Sequence, residues 1–309
     1  MNLQPETRCD FYIDTKRKEL WNTQLDIYQE LKRVCDKYNL KVFAAYGTLL
    51  GLIRHKGFIP WDDDIDVFML REDYEKLKAI DPKEWKEGYF FQNSYTDNLF
   101  RQHAQIRKDN TTMLLDRDYR KPYHRGVFID IFILDNCPSD EEELKAFYAS
   151  IKEKYGWLFK PPFKKIHSKK NKLVVFAYNH FFYYFHKIKY NHKVKVAGGR
   201  EKLFKEYDEM CQKYNNDETG KVADVTFNAF EDLYWTYNKE GFLKPISLPF
   251  EDVTMLAPNN YDEHLKETFG NYMDFVKGTT SHGVIYFDKD NNYKKYDEMS
   301  YSKFKKLFK

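Results

Sequence analysis

Along residues 15 to 38 apolar side chains recur at three- and four-residue steps, Leu20, Leu25, Tyr28, Leu31, Val34, Cys35 and Tyr38, with charged residues between them. That is the period of an amphipathic helix. Residues 41 to 46 read as a short apolar strand, Gly47 and Thr48 as a turn, and residues 49 to 55 as the first turns of a helix ended by Gly57. Pro60 stops the chain before a second strand that begins with Asp64 and Asp66 and runs on through Val67, Phe68 and Met69, and residues 72 to 80 follow as a helix. Residues 100 to 107 and 127 to 134 alternate as further strands of the same sheet. Residues 141 to 213 are mainly helical by pattern, and a compact region punctuated by Pro245, Pro249 and Pro258 leads to a helix at 261 to 268. The tail from Asp288 onward is polar and basic.

The strand beginning at Asp64 carries the candidate chemistry. With one apolar residue between them, Asp64 and Asp66 point to the same face of a strand. Two carboxylates on one face suit Mg²⁺ or Mn²⁺ better than zinc, which takes His or Cys, and the central glycine and distant glutamate of a calcium loop are missing. Metal-assisted phosphoryl or nucleotidyl transfer follows as the leading chemistry. Asp62 and Asp63 read as turn residues after Pro60 and Trp61. In residues 127 to 134, Phe128, Asp130 and Phe132 share one face and Ile129, Ile131 and Ile133 the other. A carboxylate there must be paired, protonated or bound to a cation. Asp130 is the third metal-ligand candidate if its strand lies beside the Asp64 strand; Asp135 is the alternative, and a pairing of Asp130 with backbone or Arg125 is the structural one. Gly47 and Thr48, before a helix, can turn backbone N–H groups and a hydroxyl toward a phosphate. Arg54 and Lys56 lie between that turn and the aspartates, where diphosphate charge would sit, and Arg107 with Lys108 carries a weaker form of the same argument. His264 and His282 read as packed polar residues rather than bases.

The stretch GTLLGLIRHKGFIPWDDDIDV at 47 to 67 resembles the LicD family of phosphocholine transferases, grouped with the fukutin-like proteins in the nucleotidyltransferase superfamily. QIRKDNTTM at 105 to 113, GVFIDIFILD at 126 to 135, LPFEDVTMLAP at 248 to 258 and YDEHLKETFGNYM at 261 to 273 resemble that family in the same order. The resemblance implies an α/β fold of the nucleotidyltransferase kind, a mixed sheet of about five strands flanked by helices. It implies Mg²⁺-dependent transfer of a phosphoalcohol, phosphocholine from CDP-choline first among them, to a sugar hydroxyl of a cell-surface glycan such as a teichoic acid, capsule or lipopolysaccharide precursor. Asp64, Asp66 and Asp130 would hold the metal, and Gly47 and Thr48 the phosphates. A choline donor would need an aromatic cage, for which 25 Tyr and 26 Phe offer many candidates. Glycerol or ribitol phosphate could be carried by the same centre. Other classes remain open: an NMP transferase acting on a protein, RNA or small molecule, and a catalytically silent nucleotide-binding module.

Composition adjusts this picture in three places. Lys and Arg total 51 against 48 acids, a net charge of +3 that does not argue for a nucleic-acid partner. Twelve lysines against the single acid Glu153 fall within residues 152 to 195, and residues 173 to 188 are too short and polar to span a bilayer but suited to lie on one. Lys164, Lys165, Lys169 and Lys170 are part of that basic stretch. Four scattered cysteines and the lack of a signal-peptide pattern or an apolar run of membrane-spanning length imply a reducing, cytoplasmic location, at the inner membrane face if the basic stretch docks there. The expected division is a catalytic core with its N-terminal helix at 1–140, a helical, basic and aromatic insertion at 141–225, and the rest of the catalytic domain at 226–309.

Overall fold

The computed structural model describes residues 1–97, 100–159, 172–276, 278 and 283–308. His282 and the lysines at 164, 165, 169 and 170 lie outside the described residues. The first long helix, Thr15–Lys37, is capped by Asp14, whose side chain accepts the N–H of Arg17. It buries Leu20, Trp21, Leu25, Tyr28, Leu31, Val34 and Cys35 as one stripe, and these side chains join Val67, Met69, Ile129 and Ile131 in the main core.

At the centre stands the Phe128–Asn136 strand, buried along its whole length. On one side it runs parallel to Asp66–Leu70, with Asp66 opposite Asp130 and Phe68 opposite Phe132. On the other side its first half pairs antiparallel with Ala104–Lys108 and its end with Lys221–Ala223. Asp66–Leu70 pairs in turn with Phe43–Ala44, and the sheet continues through Val253–Ala257 to Ile246–Phe250. Among the described residues the sheet has nine strands rather than the expected five or so. Several of the additional ones have two or three residues, as Lys221–Ala223 and Tyr237–Asn238 do, which is too short for an alternating pattern to register. The faces alternate as the pattern requires: Val67, Met69, Ile129 and Ile131 face the long helix, while Phe68, Phe132, Phe43 and Tyr237 form a second aromatic core on the opposite face.

Two local expectations are corrected. Gly47 and Thr48 are not a turn before a helix but belong to the first turn of the Tyr46–His55 helix, because the preceding strand ends at Ala44 and Ala45 is already the cap. Asp64 precedes the strand, which begins at Asp66. Three helices, Glu141–Phe159, Lys172–Val196 and Arg200–Cys211, follow the central strand. The last is tied to the sheet through Arg71, which pairs with Asp135 at 2.7 Å and with Asp208 at 2.8 Å. Lys221–Ala223 already belongs to the central sheet. The C-terminal tail folds back: Tyr286–Asp288 pairs with Thr112–Leu114, and Tyr296 and Phe304 pack around Leu114.

Candidate active site

The parallel register sets Asp66 beside Asp130 on adjacent strands, about 4.8 Å apart across the ladder. The backbone N–H of Asp130 donates to the carbonyl of Ile65 at 2.9 Å, extending the pairing toward Asp64. Just upstream, carboxylate oxygens of Asp62, Asp63 and Asp64 lie within 4.8 Å of one another. The backbone of this acidic loop is clamped by the long helix. Arg17 and Trp21 donate to the carbonyl of Asp62 at 2.6 and 3.0 Å, and Gln24 to that of Asp63 at 2.8 Å. With its carbonyls held, the loop is left to turn carboxylates, not backbone, toward the sheet end.

Burial first, and then the neighbouring carboxylates, drive Asp64 and Asp66 far above the usual carboxylate range; Asp66, Asp62, Asp63 and Asp130 act on Asp64, and Asp130, Asp62 and Asp63 on Asp66. Such a group must take up protons or a cation. The donors are all hard oxygens with no thiolate, so the set fits Mg²⁺ or Mn²⁺ and not a soft metal. Asp64, Asp66 and Asp130 could hold the ion, with Asp62 and Asp63 at hand.

Neighbours fix the geometry of these groups. The Gln105 side-chain amide donates to Asp130 Oδ1 at 2.6 Å, and His103 Nε2 lies 3.2 Å from the same oxygen. His103 Nδ1 is buried without a hydrogen-bond partner. Thr48 Oγ1 accepts the N–H of Asp66 at 2.9 Å, so this hydroxyl pins the start of the strand. A Cβ placed on Gly47 would come within 2.8 Å of Asp62 Oδ2. The carboxylate of Asp62 thus rests against the first turn of the Tyr46–His55 helix, where unbonded N–H groups and the helix dipole favour negative charge. Tyr46, at a φ of 41°, sets its ring against Phe68 and Phe132 and donates its hydroxyl to buried Asp224 at 3.1 Å. Burial raises Asp224 to about 6 against the hydrogen bonds it receives from Phe227 N–H and the Thr226 hydroxyl.

A cavity of about 200 Å³ opens beside Asp130, lined in part by Arg101, His103, Gln105, Arg117 and Tyr123. The sequence reading passed over His103, Gln105, Arg101, Arg117, Asp224 and Tyr46. His103 and Gln105 stand two residues apart in the 100–107 segment expected as a strand, which the fold pairs with the Asp130 strand; nothing local marked Asp224, 158 residues beyond Asp66.

The basic candidates are dispersed. Arg107 is buried with its guanidinium turned inward, donating to Gln92, Gln105 and the carbonyl of Gly126 at 2.6 to 2.8 Å, and burial lowers it to about 10. It also lines the cavity beside Asp130, and through Gln105 it supports that carboxylate. Arg54 donates to the carbonyl of Tyr272 at 2.8 Å and stacks on Phe275. Lys56 is exposed in a left-handed conformation that ends the helix. Asp135 is excluded as the third carboxylate of this cluster: it points to the other face and makes two 2.7 Å bonds to Arg71. Arg125 pairs with Asp297, not with Asp130. His264 is stacked face to face on Tyr237 at 3.5 Å, and neither ring nitrogen finds a partner; burial lowers it to about 3, so it is a neutral packed residue.

Residues 39–136 match the family model described as the LicD/FKTN/FKRP nucleotidyltransferase domain, a span that contains the acidic loop and both aspartate strands down to Asn136. The lipopolysaccharide cholinephosphotransferase LicD of Haemophilus influenzae is 28% identical over 256 residues, covering 81% of this chain and 88% of its own length. An uncharacterised protein of Rickettsia prowazekii is 30% identical over 135 residues, 43% of this chain and 47% of its own. Residues 39–136, which hold the carboxylate cluster, thus match the LicD/FKTN/FKRP nucleotidyltransferase domain, and most of the chain is similar to a LicD protein.

Proposed function

We propose that this protein is a LicD-type phosphotransferase that moves a phosphoalcohol, phosphocholine from CDP-choline first, to a sugar hydroxyl of a lipopolysaccharide precursor or a comparable cell-surface glycan such as a teichoic acid. The observation that carries the reading is the in-register pair Asp66 and Asp130 beside the Asp62–Asp64 loop, a cluster of oxygen donors whose mutual repulsion calls for a divalent cation. The name of the Haemophilus relative supplies the alcohol and the acceptor class.

On this reading Asp64, Asp66 and Asp130 hold Mg²⁺ or Mn²⁺, and Gln105 and His103 keep the Asp130 carboxylate in one rotamer. A bound divalent cation there would neutralise the donor diphosphate and lower the pKa of the attacking hydroxyl. Gly47 leaves room at the helix start for the Asp62 carboxylate; Thr48 keeps Asp66 in register. Arg101 and Arg117, at the cavity beside Asp130, offer positive charge to the CMP portion, with Arg54 and Lys56 farther along the same helix. The sugar oxygen attacks the alcohol-bearing phosphorus, its bond to the CMP oxygen breaks, and CMP leaves with the electron pair. The acceptor is assembled at the cytoplasmic face of the membrane.

The test is Mg²⁺-dependent CMP release from CDP-choline, CDP-glycerol and CDP-ribitol with cell-envelope glycan as acceptor. Turnover of CDP-choline, lost in Asp64→Ala and Asp66→Ala, is the expected result. The nucleotidyltransferase description of the domain favours a second reading, transfer of NMP; pyrophosphate release from CTP with no turnover of any CDP-alcohol would replace the first reading by that one.

A further inference from the structure

The Lys172–Val196 helix shows two faces. Val175, Asn179, Phe182 and Tyr190 are half-buried, whereas Val174, Tyr178, Phe181, Phe185 and Ile188, spaced four, three, four and three residues apart, form one stripe on a neighbouring side. That outer stripe is apolar, yet Val174, Phe181 and Ile188 are 66 to 68% exposed, with Phe181 stacked on Phe185. Among the described residues the helix is anchored near its C-terminal end, where Val194 and Ala197 pack on the core of the helical region.

A hydrophobic stripe turned to solvent calls for a cover, and charge selects among the covers. The helix carries five lysines and no acid. Lys187, Lys189 and Lys195 are exposed. A second copy of the same helix would bring lysines against lysines with no carboxylate on either helix to pair them, whereas paired helices rely on opposite charges flanking the seam. The exposed apolar surface is also broader than a coiled-coil seam, since Tyr184 on the flank of the stripe and Phe176 and Tyr183 farther round the helix are exposed as well. Tyrosine and lysine both place an apolar body against hydrocarbon and a polar tip at the headgroups. No helix among the described residues is long and apolar enough to cross a membrane, so the helix suits lying on a bilayer.

We infer that the Val174, Phe181 and Ile188 face of this helix docks in the interface of an anionic lipid bilayer, with Lys187 and Lys189 at the headgroups. The inference bears on the reading above, whose acceptor is lipid-linked, but does not depend on it.

Co-sedimentation of the full chain with vesicles of phosphatidylcholine alone, or mixed with phosphatidylglycerol, tests it at low and high salt. Binding to the mixed vesicles is expected to be at least about tenfold stronger than to phosphatidylcholine. High salt should weaken it, as should both Phe181→Ser with Ile188→Ser and Lys187→Glu with Lys189→Glu, by about tenfold or more. An unchanged thermal midpoint of the variants shows that folding is not the cause. Failure of the wild-type protein to prefer anionic vesicles overturns the inference, as does binding that neither pair of substitutions alters. A dimer in sedimentation equilibrium that Phe181→Ser with Ile188→Ser dissociates, without vesicle binding, would assign the face to a second copy. If every CDP-alcohol fails as donor, the functional reading falls while the vesicle result stands.

Discussion

Asp66 and Asp130 face each other because two strands run parallel with no offset between them, and the charge of Asp130 raises the cost of ionising Asp66. Removing one charge relieves repulsion while removing a metal ligand. Asp66→Asn is therefore expected to abolish turnover, by at least about 10²- to 10³-fold as for a lost group that stabilises the transition state, without lowering the thermal midpoint of the metal-free protein. Mg²⁺ should raise the midpoint of the wild type and leave that of the variant unchanged; scanning calorimetry with and without Mg²⁺ reads both. His264 gives a pH signature of a different kind. Its folded form is held neutral down to about 3, whereas in the unfolded chain it takes up a proton near 6.5. Between those values the unfolded state binds more protons, so the contribution is fully present above pH 6.5 and is lost as pH falls toward 3, by about 1.4 kcal/mol per unit well inside the window. Denaturant titrations of wild type and His264→Phe from pH 7 to 4 should converge in slope only above 6.5; parallel curves throughout would show the histidine is not buried neutral.

One strand carries two aspartates with opposite fates. Asp130 lies on the aromatic face beside Asp66, and Asp135, five residues on, turns to the other face and into Arg71. Asp130→Asn should yield a folded protein without turnover. Asp135→Asn should cost about 3 kcal/mol, the low end for breaking a buried pair because Asp208 and Glu75 still hold Arg71, with its remaining folded fraction active. Urea melts alongside CMP release separate the two, and the reverse pattern would interchange their roles. The Thr15–Lys37 helix acts on the site through its polar residues. Gln24→Leu removes the amide that donates to the buried carbonyl of Asp63, for about 1 to 3 kcal/mol, and should weaken Mg²⁺ binding measured by calorimetry. The apolar stripe of this helix was plain in the sequence because burial repeats with the helical period. Its clamp on the acidic loop was not, since Trp21 and Gln24 reach carbonyls some forty residues away.

The chain closes its architecture with pieces that look peripheral. The polar tail carries Tyr296 and Phe304 into a small core around Leu114, and Asp297 faces buried Arg125 at 2.8 Å. Asp297→Ala leaves that guanidinium the carbonyls of Asp118 and Tyr123 in place of a carboxylate. The expected loss is about 2 kcal/mol, below the figure for a fully buried pair because Asp297 keeps contact with solvent, and it should appear as a lower urea midpoint with an unchanged m-value. A midpoint equal to the wild type would make the tail an ornament of the fold. The Lys172–Val196 helix is the converse case: basic and aromatic character was evident along residues 152 to 195, but only the fold shows which of its faces is left outside.

Legibility follows the range of the forces. Periodic burial and the Asp64–Asp66 spacing are local, and Asp130 stands out within its own apolar strand, so the long helix, the aspartate strands and the carboxylate candidates could be read along the chain. Gly47 and Thr48 could be singled out but not correctly placed, because whether they form a turn or a first helical turn rests on where a two-residue strand stops. The choice of Asp130 over Asp135, the inward turn of Arg107, and the meeting of His103, Gln105 and Asp224 around the carboxylates were decided by strand register and packing. Those depend on contacts between residues far apart in the chain, whose pairing energies no local pattern encodes.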